Sequence, residues 1–229
     1  MTALGAVLLV GIVPASAGPK PSDAQSRFEQ TYRAAQSLQV SFFESYEENG
    51  QLVRSEAGTA YFRRPGKMRF EYAAPEKNVF VVDGKTAWFY VPTDHTATRV
   101  PARQSSDWKT PLALLAGDAH LSRICSRVEP SNAEKPSSQD GVVLRCVLKG
   151  EPDAGNGDSG PVFLEVSTGN GELERVLIRD SGGVNIEFRF KNWQFNPALP
   201  AELFRFEPPL GTAVVNGELP APTNSPGTP

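Results

Sequence analysis

Val184-Asn185-Ile186-Glu187-Phe188-Arg189-Phe190-Lys191-Asn192-Trp193 reads as one strand of a half-buried sheet. Val184, Ile186, Phe188 and Phe190 share one face, while Asn185, Glu187, Arg189 and Lys191 share the other, a strict period of two. The same period recurs on both sides along the chain. Leu38, Val40 and Phe42 alternate with polar neighbours, and Asn49-Gly50 supplies a hairpin turn. Thr59, Tyr61 and Phe62 belong to the next strand, Arg64-Pro65-Gly66 breaks it, and Lys67 to Tyr72 alternates again. Val79 to Val82 and Thr86 to Val91 form a hairpin about Asp83-Gly84. Thr98 to Val100, Leu121 to Val128, Gly141 to Leu148, Val162 to Val166 and Leu173 to Asp180 complete the set. Gly169-Asn170-Gly171 joins the last two.

Ten or eleven meandering antiparallel strands predict a mainly β fold with a few helices (α+β). A single sheet of that width curls into a barrel or half-barrel. A helix is expected from about Asp23 to Ser37, with Ser22 and Gln25 as a capping box and Ala24, Phe28, Tyr32 and Ala35 on one stripe. A second, short helix follows Thr110, with Pro111 at its first turn and Gly117 past its end. Its residues, Leu112-Ala113-Leu114-Leu115-Ala116, are apolar nearly all round. The segments Glu129 to Asp140 and Glu151 to Gly160 read as weakly structured loops, and residues 216–229 as a disordered tail. No internal repeat or mid-chain linker divides the chain, so one domain is expected over residues 18–215.

Composition narrows the function. The 229 residues carry 23 basic and 26 acidic side chains, a net charge of −3, so no basic surplus exists to neutralise nucleic-acid phosphates. The 20 Gly and 20 Pro suit many short strands and turns. Two His and two Cys leave almost no material for a zinc site, and neither metal nor cofactor is expected. Thr2 to Val13 is uncharged and largely apolar, and Ala15-Ser16-Ala17 follows as a small-x-small signature. A signal peptide cut after Ala17 and an exported, periplasmic protein are the reading; a buried N-terminal helix is the competing one. Export permits a Cys125–Cys146 disulfide between two apolar segments, with two buried thiols as the alternative.

No persuasive catalytic set emerges. Gly157-Asp158-Ser159-Gly160-Pro161 imitates the surroundings of a serine nucleophile, but neither His95 nor His120 has the flanking residues of that family's base. A thiol enzyme built on Cys125 and His120 would lose its nucleophile wherever Cys125 pairs with Cys146. The sequence does concentrate apolar side chains on one strand face. Arg64, Met68, Phe70 and Tyr72 are all even-numbered, and Phe80, Val82, Trp88 and Tyr90 are expected to join them from the next two strands. Leu112, Leu114 and Leu115 would then close the mouth of a hydrophobic cavity.

These blocks together resemble a known family. Arg63-Arg64-Pro65-Gly66-Lys67-Met68-Arg69-Phe70-Glu71-Tyr72, Val82-Asp83-Gly84-Lys85-Thr86-Ala87-Trp88-Phe89-Tyr90 and Thr110-Pro111-Leu112-Ala113-Leu114-Leu115 are similar to the periplasmic outer-membrane lipoprotein carriers (LolA-like). Ile186 to Trp193 and Leu203-Phe204-Arg205-Phe206-Glu207-Pro208-Pro209 extend the similarity. The resemblance implies one unclosed, strongly curved antiparallel barrel with a helical lid. It implies a monomeric, non-enzymatic carrier for lipoprotein acyl chains, loaded by an inner-membrane ABC transporter and unloaded to an outer-membrane acceptor. It places the lid-gating Arg on Arg64, expected to bond the carbonyls of the Leu112 to Leu115 helix. Two other roles fit the same fold: a carrier of another lipid, such as a glycolipid or pigment, and a periplasmic stress-signalling sensor.

Overall fold

The structure, a computed structural model, describes residues 21–102, 110–117, 119–149, 159–180 and 182–217. The Ala17 cleavage site and nearly all of the Glu151 to Gly160 loop lie outside them. Helix α1 (Pro21–Arg33) leads into β1 (Ser37–Glu48), β2 (Gln51–Arg63), β3 (Lys67–Ala74), β4 (Val79–Val82), β5 (Thr86–Val91) and β6 (Thr96–Pro101). Helices α2 (Thr110–Ala116) and α3 (Leu121–Ile124) follow. The second half holds β7 (Cys125–Pro130), β8 (Gly141–Leu148), β9 (Ser159–Ser167), β10 (Leu173–Asp180) and β11 (Val184–Phe195). A 3₁₀ turn at Ala201–Phe204 precedes a last strand, β12 (Ala213–Asn216).

All twelve strands form one sheet in the order β12-β6-β5-β4-β3-β2-β1-β11-β10-β9-β8-β7. The two end strands, β12 and β7, are not paired with each other, so the barrel is unclosed. Every pairing is antiparallel except β12 on β6, which is parallel. Three segments depart from the sequence reading. Leu121 to Ile124 is a helical turn before β7 rather than the start of a strand. Ala213 to Asn216 is a strand where the sequence showed only the approach to a tail. Residues 131–140 are well tied down, as described below. Backbone pairing at an edge leaves no hydrophobic period to read, which is why β12 went unseen.

Turn chemistry sets the central hairpin. Asn49 and Gly50 both take positive φ, 50° and 77°, as a two-residue turn between right-twisted strands requires. Glu48 then faces Gln51, and the pairing runs on to Ser37 opposite Arg63.

Curvature is visible in ring distances. In a flat sheet, strands β3 and β11 would lie about 14 Å apart, three spacings of roughly 4.8 Å. The rings of Phe70 on β3 and Phe188 on β11 are 6.4 Å apart. The inner faces of the two halves have therefore curled onto each other. One buried cluster joins Val40, Phe42, Phe62, Phe70, Phe80, Leu144, Leu164 and Phe188 from both halves. Helix α1 adds Phe28 and Tyr32 to this cluster, and α2 adds Leu112, Leu114 and Leu115.

The outer face is covered in two places by the protein's own chain. Over β3 to β5, the segment after Pro197 packs Phe204 and Phe206, with Arg69 donating to Leu203 O at 3.2 Å. Over β9 to β11, residues 131–140 are held by Glu165, which is 1% exposed. Its carboxylate accepts from the Ser137 and Ser138 N–H groups and from Arg175 Nε at 2.7 Å. Burial alone would lower the Arg175 pKa, but Glu165 and Glu187 reverse that and raise it, so the guanidinium stays charged. Arg175 also donates to Lys135 O at 2.9 Å.

Cys125 and Cys146 form a disulfide with Cα atoms 5.5 Å apart, linking β7 to β8. A loop with a separation of 21 residues is closed, worth about 3 kcal/mol in unfolded-chain entropy. Replacing both cysteines by serine should lower stability by about that amount; an unchanged urea midpoint would contradict it. Removing Arg175 while Glu165 stays buried should cost more. Arg175→Met is expected to lose about 3–5 kcal/mol in denaturant unfolding. Adding Glu165→Leu should recover part of the loss, since it removes the uncompensated charge.

Candidate functional site

Alternation on β3 and β4 puts Met68, Phe70 and Tyr72 opposite or diagonal to Phe80 and Val82. Met68 pairs with Val82, and Phe70 with Phe80. All five are buried on the concave side, none more than 6% exposed. Phe42 from β1 meets Phe70 at 5.3 Å and Tyr72 at 5.2 Å, both edge-on. Phe62 meets Phe70 at 5.8 Å. These distances are those of favourable aromatic pairs. Phe188 and Phe190 line the opposite wall and stack at 6.1 Å. The inner wall is thus continuous and aromatic.

Trp88 and Tyr90 do not belong to it. Four residues, Asp83 to Thr86, separate the paired Val82 and Ala87. An even count makes even positions face odd ones across the hairpin, so the inner set switches parity. Phe80 pairs with Phe89, and Ala87 is buried with Phe89 packed against the inner cluster. Trp88 and Tyr90 point to the convex side, each 5.4 Å from the Phe206 ring. The Arg99 guanidinium sits 5.6 Å over Trp88. Their expected place in the cavity is corrected on this ground.

The turn Arg64-Pro65-Gly66 sits at the rim between β2 and β3 and binds both main helices. Arg64 donates to Arg33 O at 2.7 Å and Tyr32 O at 2.8 Å. These carbonyls belong to the last turn of α1, where a cation is also favoured by the helix dipole, and Tyr32 O accepts from Ala35 N–H as well. The sequence reading aimed this guanidinium at Leu112 to Leu115; in the structure it is these α1 carbonyls that it holds. Two residues on, Gly66 N–H donates to Ala116 O of α2 at 2.9 Å. Gly66 takes φ +67°, which a side chain rarely adopts. One turn therefore clamps α1 through a side chain and α2 through its backbone.

Helix α2 packs its leucines into the inner cluster. Leu112, Leu114 and Leu115 are at most 5% exposed, while Ala113 faces outwards. Helix α1 covers the adjacent end: Tyr32 OH accepts from Leu173 N–H at 3.0 Å, and Thr31 bonds Asn170 O at 2.8 Å. Desolvation drives the Tyr32 phenol pKa far up, so it stays neutral. Glu29 of α1 accepts from Leu121 N–H at 3.1 Å and lies 3.3 Å from His120 Nδ1, tying α1 to α3.

One polar feature of the inner wall escaped the sequence reading. Glu44 follows Val40 and Phe42 in the same period and is buried on the concave side, opposite Glu56. Tyr72 OH donates to Glu44 Oε2 at 3.1 Å. Burial first, then the Glu44 and Glu56 charges, push the Tyr72 phenol well up, so it serves as a donor. Continuing the alternation of β1 by one step would have found Glu44.

Among the described residues, the concave wall is largely apolar, with one acidic spot at Glu44 and Glu56. No group of three or more His, Cys, Asp and Glu able to hold a metal ion occurs among them. No helix among them is long and apolar enough to cross a membrane.

Comparison with known proteins places the chain. An uncharacterised conserved protein from Thermus thermophilus superposes with a TM-score of 0.52 at 13% identity, covering 86% of this chain and 98% of that one, which supports the fold. An outer-membrane lipoprotein carrier protein of Dechloromonas aromatica (strain RCB) is 32% identical over 167 residues, 73% of this chain and 74% of its own length. One from Nitrosomonas europaea is 28% identical over 214 residues, 91% and 95% of the two chains. The family described as outer membrane lipoprotein carrier protein LolA matches residues 33–207, from the Arg64 turn and the aromatic wall to Phe206. A curved aromatic sheet closed by two clamped helices and this family match agree: the chain is a member of the LolA family of outer-membrane lipoprotein carriers.

Proposed function

We propose that this protein is a periplasmic carrier that shelters the acyl chains of lipoproteins released from the inner membrane and delivers them to the outer membrane. The observation that carries this reading is the continuous aromatic and aliphatic concave wall lying directly under a short apolar helix. Moving an acyl chain from a bilayer into water costs about 0.8 kcal/mol per CH₂. Three chains together make unassisted crossing negligible, and a dry interior removes most of that cost.

The inner side chains pack on one another when α2 is closed, so cargo enters by displacing the lid. Helix α2 spans seven residues, too short to be stable alone. It is held by burying Leu112, Leu114 and Leu115 and by the Gly66 to Ala116 hydrogen bond. Acyl chains that replace those leucines exchange apolar contact for apolar contact. Opening the lid exposes those leucines, and that cost offsets part of what the acyl chains gain from the inner wall, which keeps loading and unloading close in free energy. A carrier needs this balance, because cargo held too tightly would never leave.

The Arg64 turn sets the balance by favouring the closed arrangement. It ties the last turn of α1 and the end of α2 to the same rim. In this reading cargo is supplied by an inner-membrane ABC transporter and accepted by an outer-membrane receptor. The wall residues that hold it are Met68, Phe70, Tyr72, Phe80 and Val82, with Leu112, Leu114 and Leu115 giving way.

Two measurements test the assignment. Leu114→Glu, which plants a charge under the lid, should weaken binding of a tri-acylated lipopeptide at least tenfold, while Trp88→Ala on the convex side leaves it unchanged. Equal losses in both variants would sink the inner wall as the binding surface. Arg64→Leu should still load cargo but slow its transfer to acceptor-bearing vesicles at least tenfold. Transfer at the unmodified rate would remove Arg64 from the gate. Mass spectrometry of copurified lipid decides the chemical class: acylated polypeptide supports the reading, and a free glycolipid or pigment overturns it.

A further inference from the structure

The two edges of the unclosed sheet are built differently. The β7 edge carries three devices that discourage strand addition: charged Arg127 and Glu129, Pro130 at its end, and a register irregularity between Cys125 and Arg127. The β12 edge carries none of them. Its four residues, Ala213-Val214-Val215-Asn216, hold no charge and no proline, and their pairing with β6 runs in unbroken register. All four are exposed, with Val214 at 44% and Val215 at 47%. Leu210, in the turn just before, is fully exposed.

Backbone direction identifies the open groups. Ala213 N–H donates to His95 O at 2.8 Å, and Gly217 N–H donates to Arg99 O at 3.4 Å. Main-chain groups of an extended strand alternate sides, so the N–H and C=O of Val214 and Asn216 face away from β6. Exposed donors and acceptors in that spacing accept another strand. The geometry points to β12 as a docking edge for an extended segment of a partner protein, one that is uncharged and carries aliphatic side chains at alternate positions.

Two other occupants fit less well. Residues 218–229 contain Pro220, Pro222, Pro226 and Pro229, which lack the N–H that a ladder needs. A second copy joined only through four-residue edges would bury far less than the roughly 1,600 Å² of an ordinary stable interface. A partner segment gains main-chain bonds at the edge and also reaches Leu210, Val214 and Val215. Strand addition of this kind takes affinity from the backbone and selectivity from alternate side chains. The inference concerns a surface remote from the concave wall and stands apart from the carrier reading.

The test uses the full-length mature protein, isotope-labelled, and a capped hexapeptide alternating threonine and valine. Saturable shifts are expected at the Val214 and Asn216 amides, with their hydrogen exchange slowed at least tenfold. Val214→Pro removes one outward N–H and should abolish the effect. Retained slow hydrogen exchange at the Ala213 and Gly217 amides in that variant would show that β12 still sits on β6. Leu52→Ala, on β2 and five strands away from β12, should bind like the unmodified protein. No saturable shift at those two amides overturns the inference, as does peptide binding confined to the concave wall. Concentration-dependent dimers lost in Val214→Pro would also overturn it, by making a second copy the occupant.

Discussion

Twelve strands with one apolar face cannot be left flat in water. A side chain the size of Phe or Leu is worth about 1.5–3 kcal/mol when buried, and the concave wall carries many of them. Curling brings Phe70 and Phe188 together from strands three places apart. The remaining openings are stopped by α1 and α2. The interior is apolar because the sheet must fold, and one of its two stoppers, α2, is only seven residues long.

The convex face answers the same demand in a different way. There the chain lays its own segments over the sheet. Phe204 and Phe206 cover β3 to β5, and the Glu165–Arg175 pair anchors residues 131–140 over β9 to β11. A buried ion pair is a poor source of net stability. This one also accepts the Ser137 and Ser138 N–H groups, so it orders a loop that has no hydrophobic reason to stay. The Arg64 turn lies at the rim, where the Arg64 guanidinium holds α1 and the Gly66 N–H holds α2.

Much of this was legible residue by residue. The alternation of Val184 to Phe190 and of Lys67 to Tyr72 exposed the strands and their inner faces. Asn49-Gly50 announced its hairpin, and Leu112 to Leu115 announced a helix that had to be covered or to cover. The Arg-Pro-Gly turn carried the family resemblance. Other features were misplaced for a physical reason. Parity carried unchanged across the Asp83-Gly84 turn points Trp88 and Tyr90 inwards, and the register of the hairpin turns them outwards. The segment Glu129 to Asp140 reads as weakly structured because the order of residues 131–140 comes from Glu165, a distant partner.

By itself the sequence determined which residues alternate, where turns must fall, and that a wide meander of strands would bend around an apolar interior. Those are local properties, set by backbone sterics and side-chain period. The tertiary structure alone decided which face Trp88 took, which carbonyls Arg64 reached, that the two cysteine sulfurs came within bonding distance, and that Ala213 to Asn216 became an edge strand. Each of these depends on register and on contacts between segments far apart in the chain, and such contacts exist only once the sheet has curled upon itself.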